Sequence, residues 1–284
     1  MLRLLKIGVF SSMLATSAVH AGVGYLGPAG SWTHQACIDL YGEQALVPYS
    51  KDQLFAAFAE GKIDKFCIPV TTSVVGVTPY LDDVLAMNGA TIVAEYPKML
   101  GYSMLVKSGT TRDQVKTVVA HPVALEEVKP WLDKEMPSVT RKPAATGGAA
   151  AQEVANSSTP DLAAMGSPSA AKIYGLVPLI NGIEEGPHNV TRWWVMGHDM
   201  PAATGNDKTT LLLSTSDKAF GQGMKSLSPV SDRVLTIYER PSKKTLDSHA
   251  YVVELIGHAT QEPLKGFLRK HPEFKLLGSY PRTY

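Results

Sequence analysis

GVGYLGPAGSWTHQACIDLY, residues 22–41, opens the folded part of the chain and decides how the rest is read. Val23 to Leu26 is a short apolar strand, Gly27-Pro28-Ala29-Gly30 is turn chemistry, and Trp32, Ala36, Ile38 and Leu40 then recur at helical spacing, as on a helix lying over a sheet. The alternation continues. Ser50 is placed to cap a helix running through Glu60, with Leu54, Phe55 and Phe58 as its apolar stripe and Gly61 as its stop, and Phe66 to Val70 reads as a buried strand. Apolar runs that alternate with helical patterns are the signature of strands crossed over by helices, hence an open α/β sheet.

Ala90 to Val106 is apolar and β-branched around Glu95-Tyr96-Pro97, a long strand able to carry the chain into a second lobe. From Val115 to Ile180 the pattern repeats: a strand at Val118–Ala120, helices near Glu126–Leu132 and Gly148–Ala155, a strand at Leu162–Met165 and a helix at Pro168–Tyr174. Val190 to Met196 reads as a returning strand, so residues 22–197 form two α/β lobes about a cleft, as in periplasmic binding proteins. Residues 198–207 have linker composition. Beyond them, 208–284 reads βαββαβ, the ferredoxin-like α+β order.

The composition bounds the partners. Of 284 residues, 44% are hydrophobic and 19% charged, too apolar for a disordered chain and too mixed for a membrane bundle. Lys plus Arg number 27 against 26 Asp plus Glu, which gives no electrostatic reason to expect nucleic acid or an anionic bilayer. A small molecule or a protein is the expected partner.

Arg3 and Lys6 precede an uncharged stretch, Ile7 to Ala18, too short to span a bilayer, and Val19-His20-Ala21 puts small residues at a cleavage point. Residues 1–21 therefore read as a signal peptide removed before Gly22, with the mature protein periplasmic or secreted and not membrane-bound. Removing Arg3 and Lys6 leaves 25 basic against 26 acidic residues, so the mature chain stays near neutral. Cys37 and Cys67 read first as small buried hydrophobes, although an exported chain would permit them to pair if the first helix packs over the strand holding Cys67. The spacing of His and Cys offers no metal motif.

Several motifs together resemble one family. Gly27-Pro28-Ala29-Gly30-Ser31-Trp32-Thr33 resembles the Gly-Pro-x-Gly-Thr-Phe-Ser opening of prephenate dehydratases, and Asp64 through Ser73 their Pro-Ile-Glu-Asn-Ser segment. Ala120-His121-Pro122-Val123-Ala124-Leu125 is similar to their Ser-His-Pro-Gln-Ala-Leu, and Asn189-Val190-Thr191-Arg192-Trp193 to Asn-x-Thr-Arg-Phe. Glu239-Arg240-Pro241 and Leu277-Gly278-Ser279-Tyr280-Pro281 resemble landmarks of the family's C-terminal ACT domain. The likeness runs from Gly22 to the C-terminus.

The resemblance implies a cofactor-free lyase that converts prephenate to phenylpyruvate with loss of water and carbon dioxide, and an ACT-like C-terminal domain that joins copies into a dimer or larger oligomer. Thr191, matching the family's Thr-Arg-Phe threonine, is the candidate catalytic donor to the departing hydroxyl. Prephenate is a dicarboxylate. Its candidate binding residues are Arg192 as a bidentate fork, Ser31 and Thr33 at one helix N-terminus, Thr72 and Ser73 in the segment that matches Pro-Ile-Glu-Asn-Ser, and Thr146 at a second helix N-terminus. Arg192 pairing with an acid, and Ser31 capping its helix, are the structural alternatives.

The departures from the family gather at the same place. Its Glu-Asn pair is Thr71-Thr72 here, the Ser and Gln flanking His-Pro are Ala120 and Val123, and Trp193 replaces Phe. In the C-terminal domain the acid before Arg-Pro is displaced to Glu239, and the Pro-Gly-Ala-Leu turn survives only as Ala219-Phe220-Gly221-Gln222, so phenylalanine control is not expected. A prephenate decarboxylase-like enzyme and a non-catalytic periplasmic small-anion binder stay open as alternatives.

Overall fold

The computed structural model of the protein describes residues 22–43, 45–183, 189–242 and 244–284; the expected signal segment lies outside them. The first lobe holds β1 (Gly22–Leu26), α1 (Trp32–Tyr41), β2 (Leu46–Tyr49), α2 (Lys51–Ala59), β3 (Ile63–Thr72), β4 (Gly76–Val77), α3 (Tyr80–Ala86) and β5 (Thr91–Met99). The second holds β6 (Ser103–Val106), β7 (Thr117–Ala120), α4 (Pro122–Glu127), α5 (Lys129–Glu135), β8 (Thr140–Pro143), α6 (Gly147–Asn156), β9 (Leu162–Gly166), α7 (Pro168–Tyr174) and β10 (Val177–Asn181). The chain then returns through β11 (Val190–Gly197). It ends in β12 (Asp207–Ser216), α8 (Asp217–Ser226), β13 (Val234–Pro241), β14 (Ser248–Ile256), α9 (Leu264–Lys270) and β15 (Phe274–Pro281).

Each unit has its own sheet: β2-β1-β3-β11-β5 with β4 on β3, then β10-β6-β9-β7-β8, then β13-β14-β12-β15. In the first sheet β1 runs parallel to β2 and β3, while β11 is antiparallel to β3 and β5 and so closes the crossing between lobes. The last sheet is antiparallel throughout.

Where the expected elements differ from the observed ones, local chemistry accounts for it. The long strand expected over 90–106 is two, because the chain leaves one sheet and joins another at Leu100-Gly101-Tyr102, where Leu100 N–H bonds to Asn189 O rather than to a ladder partner. The helix expected near Glu126–Leu132 divides at Val128, and Pro130, in the first turn of α5, has no N–H to continue an α4 ladder. On α1 the buried positions are Thr33, Ala36 and Cys37, not the Trp32, Ala36, Ile38 and Leu40 set read from spacing.

α1 does pack over β3. Cys37 and Cys67 are fully buried with Tyr25 and Val195, their Cα atoms lie 6.4 Å apart, and their sulfurs are bonded, so the reading of two simple apolar fillers is corrected to a disulfide. The bond closes a 30-residue separation and fixes the helix whose N-terminus faces the other lobe.

The C-terminal unit is not a loose appendage. Phe58, Phe66, Trp194 and Met196 of the first lobe share a core with Val252, Leu277 and Tyr280. Gly278 lets β15 lie against the backbone of β5, since a Cβ there would meet Ile92 O well inside contact distance. Arg240 of β13 also bonds to Asp82 of α3 at 2.7 Å.

Candidate active site

Two segments bring the lobes face to face. The Pro28-Ala29-Gly30 turn of the first lobe lies against the N-terminus of α6, where a Cβ on Gly148 would overlap Ala29 O and Pro28 O. Ser167 Oγ donates to Gly30 O at 3.0 Å and Tyr174 Oη to Ala29 O at 2.9 Å, so the second lobe grips the same turn. The cleft between them is lined from both sides, by Thr33, Thr72 and Thr191 of the first lobe and by His121, Thr146 and Met165 of the second, among others.

Strand alternation decides which side chains enter. On β11, Thr191 and Trp193 face the cleft, while Arg192 and Trp194 face the C-terminal domain. The register sets Thr191 directly opposite Thr72 on β3. Thr191 is 5% exposed, and its hydroxyl makes no hydrogen bond to another described residue.

The other hydroxyls are aimed by what they accept. Thr33 Oγ1 accepts from Trp193 Nε1 at 3.1 Å, Thr72 Oγ1 from Val75 N at 3.0 Å, and Thr146 Oγ1 from Ala149 N at 3.0 Å. A hydroxyl that accepts an N–H keeps its own hydrogen to donate. Thr33, Thr72, Thr146 and Thr191 therefore present a ring of neutral donors. The N-termini of α1 and α6, each ten residues long, add dipoles of the sign that favours an anion. No lysine or arginine is among the described residues lining the cleft.

Ser31 lines the cleft with its hydroxyl committed, donating to Leu26 O at 3.0 Å and capping α1 at His34 N at 3.1 Å. Ser73 is exposed and outside the lining; its Oγ accepts from Val190 N at 2.8 Å and so holds the start of β11 beside β3.

Arg192 is the larger correction. Its guanidinium lies away from the cleft, within 2.7 Å of Glu254 on β14 and 3.5 Å of Glu95 on β5, while its Nε donates to Thr71 at 3.3 Å. Lys208, 1% exposed, lies 2.9 Å from Glu95 and 3.5 Å from Glu254, completing a buried group of two cations and two anions between the first lobe and the C-terminal domain. Burial works against the charge on Glu254, but the hydrogen bond and charge of Arg192, with Lys208 beside it, hold its carboxyl below the usual range. A substrate carboxylate cannot reach this arginine without dismantling the interface.

Two further cleft residues, Tyr80 and His121, were not among the expected site residues, although His121 stood in the His-Pro motif. Tyr80 enters from α3, and its Oη lies 3.3 Å from Nε2 of His121 at the start of α4 in the opposite lobe. Pro79 ahead of Leu81, Val84 and Leu85 marks a helix start that would have placed Tyr80 near the strand ending in Thr72. His121 Nδ1 accepts from Val123 N at 3.2 Å, and burial lowers the pKa of the ring, which favours the neutral form.

The sequence profile of the prephenate dehydratase family matches residues 23–201. The prephenate dehydratase of Mycolicibacterium gilvum is 30% identical over 282 residues, covering 92% of this chain and 91% of that protein. Among solved structures, the prephenate dehydratase of Arthrobacter aurescens in complex with L-Phe superposes with a TM-score of 0.80 at 25% identity, covering 92% of this chain and 90% of that one. A quorum-quenching acylase, GqqA, has a TM-score of 0.78 at 20% identity and covers 92% of this chain and 98% of its own, a likeness of fold.

Proposed function

Because the chain belongs to the prephenate dehydratase family, a family of lyases, we propose that its cleft converts prephenate to phenylpyruvate, water and carbon dioxide. The observation that carries the reading is the hydroxyl of Thr191, a buried residue set opposite Thr72 in a cleft of donors, which bonds to no other described residue. The ring carboxylate breaks its bond to the ring and leaves as carbon dioxide. Its electron pair aromatises the ring and expels the ring hydroxyl, which departs as water with one proton taken up. Thr191 donates to that oxygen as negative charge develops on it, and a neutral hydroxyl does so without the desolvation cost of a buried ion. Thr33, Thr72, Thr146 and the two helix N-termini are the substrate-binding set, holding the carboxylates with neutral donors in place of cations.

The C-terminal unit is the ACT-like domain of this reading, with β13-β14-β12-β15 as its sheet and joining of copies as its role. Glu239 is bonded to His249, which also bonds to Asp217, so the displaced acid is already engaged. Phenylalanine is therefore expected to leave the rate unchanged. Purified protein incubated with prephenate at neutral to mildly alkaline pH should form phenylpyruvate well above the blank, with or without phenylalanine. A non-aromatic product of decarboxylation would move the assignment to a decarboxylase, unchanged prephenate would contradict catalysis, and saturable inhibition by phenylalanine would contradict the regulatory reading.

Export belongs to the same proposal, and the buried Cys37–Cys67 bond supports it, because disulfides persist in oxidising compartments. The intact mass of protein recovered from the expected compartment should correspond to a chain beginning at Gly22 and lacking both thiol hydrogens. A mass that includes Met1, or two free thiols, would contradict it.

A further inference from the structure

We propose that Tyr80 is a substrate-binding residue of the cleft, donating its hydroxyl hydrogen to a carboxylate of the substrate, and that His121 positions it from the opposite lobe. The proposal rests on the reaction assigned above and names two further residues for it.

The direction of each hydrogen bond follows from the contacts. Nδ1 of His121 accepts the N–H of Val123, so a neutral ring must carry its proton on Nε2. That Nε2–H points at Tyr80 Oη, 3.3 Å away, and can only donate. The oxygen of Tyr80 is then an acceptor, and its own hydrogen is directed elsewhere, with both residues lining the cleft. Burial raises the pKa of Tyr80 and lowers that of His121, which keeps the phenol protonated and the imidazole neutral. A phenol held this way is a donor in search of an acceptor, and a carboxylate is the acceptor a dicarboxylate brings.

The contact also joins two bodies. Tyr80 begins α3 of the first lobe and His121 caps α4 of the second, and the two rings lie with centroids 6.4 Å apart and planes within 29°. Parting the lobes would separate them, so the donor is oriented only when the cleft is closed. Substrate binding and closure then favour the same arrangement.

The test uses Tyr80→Phe, His121→Asn and the double variant in the full chain. Asparagine retains an acceptor for Val123 N–H and is a good helix cap, but it does not reach Tyr80. For Tyr80→Phe the KM for prephenate should rise about 10- to 100-fold, the loss expected for one hydrogen bond to a charged acceptor, with kcat within about threefold. His121→Asn should raise KM by a smaller factor and add nothing in the Tyr80→Phe background. A Tyr80→Phe enzyme with KM within about twofold of the parent, or a His121→Asn effect that multiplies in full in the double variant, would overturn the proposal while leaving the reaction standing. Quenching of the cleft tryptophans Trp32 and Trp193 by prephenate gives a second readout that needs no turnover. If the parent binds without converting prephenate, the reaction fails and the same rise, read in Kd, still supports the pair; if it neither binds nor converts prephenate, both readings fall.

Discussion

Thr191→Val lowers kcat for prephenate by about 10²–10⁴-fold, the range expected when a positioned donor to a leaving oxygen is removed. KM changes little, because the hydroxyl acts as charge develops on the departing oxygen rather than in the bound ground state. Valine keeps the β-branched shape that suits the middle of β11, and the hydroxyl it removes bonds to no other described residue, so folding does not explain the loss. Thr191→Ser should recover most of the rate. A Thr191→Val enzyme within about tenfold of the parent kcat would remove Thr191 from the chemistry.

Arg192→Leu should destabilise the protein by about 3–5 kcal/mol, a fall in thermal midpoint on the order of 10 °C, without Arg192 having touched substrate. The buried group between β5, β11, β12 and β14 contains Arg192 and Lys208 against Glu95 and Glu254. Removing one cation leaves a carboxylate uncompensated in a site of low dielectric. Removing Arg192 and Glu254 together leaves Lys208 on Glu95 at 2.9 Å, so the double leucine variant should be more stable than Arg192→Leu alone. Calorimetry of the single and double variants reads this directly, and a double variant less stable than the single would contradict the balance. The pH dependence has the same origin. Glu254 has its pKa lowered in the folded state, so its contribution is present above the ordinary carboxylate range and is lost as pH falls through the lowered value.

The alternation of apolar runs and helical patterns made the two lobes legible before any coordinates, as did the βαββαβ order after the linker, because both rest on local periodicity. Thr33, Thr72, Thr146 and Thr191 were legible through motif resemblance, and all four line one cleft. The misplacement of Arg192 has a local cause. Thr191 and Arg192 are neighbours on β11, and side chains one residue apart on a strand point to opposite faces, so that pair could supply only one residue to the cleft, whereas Ser73 lies in the turn just past the end of β3 at Thr72. The pattern of the motif obscured that period of two. The Tyr80–His121 contact was beyond local reading, and the Cys37–Cys67 bond was legible only as a pairing conditional on packing, because each joins elements whose approach is set by how lobes and layers pack.

The central claim is that one cleft couples loss of the ring carboxylate to loss of the ring hydroxyl. The most direct measurement is the stoichiometry of products from prephenate, with carbon dioxide and phenylpyruvate followed in the same reaction. The account predicts that the two appear in equal amounts and at the same rate. Carbon dioxide released without the aromatic product, or prephenate returned unchanged, would contradict it.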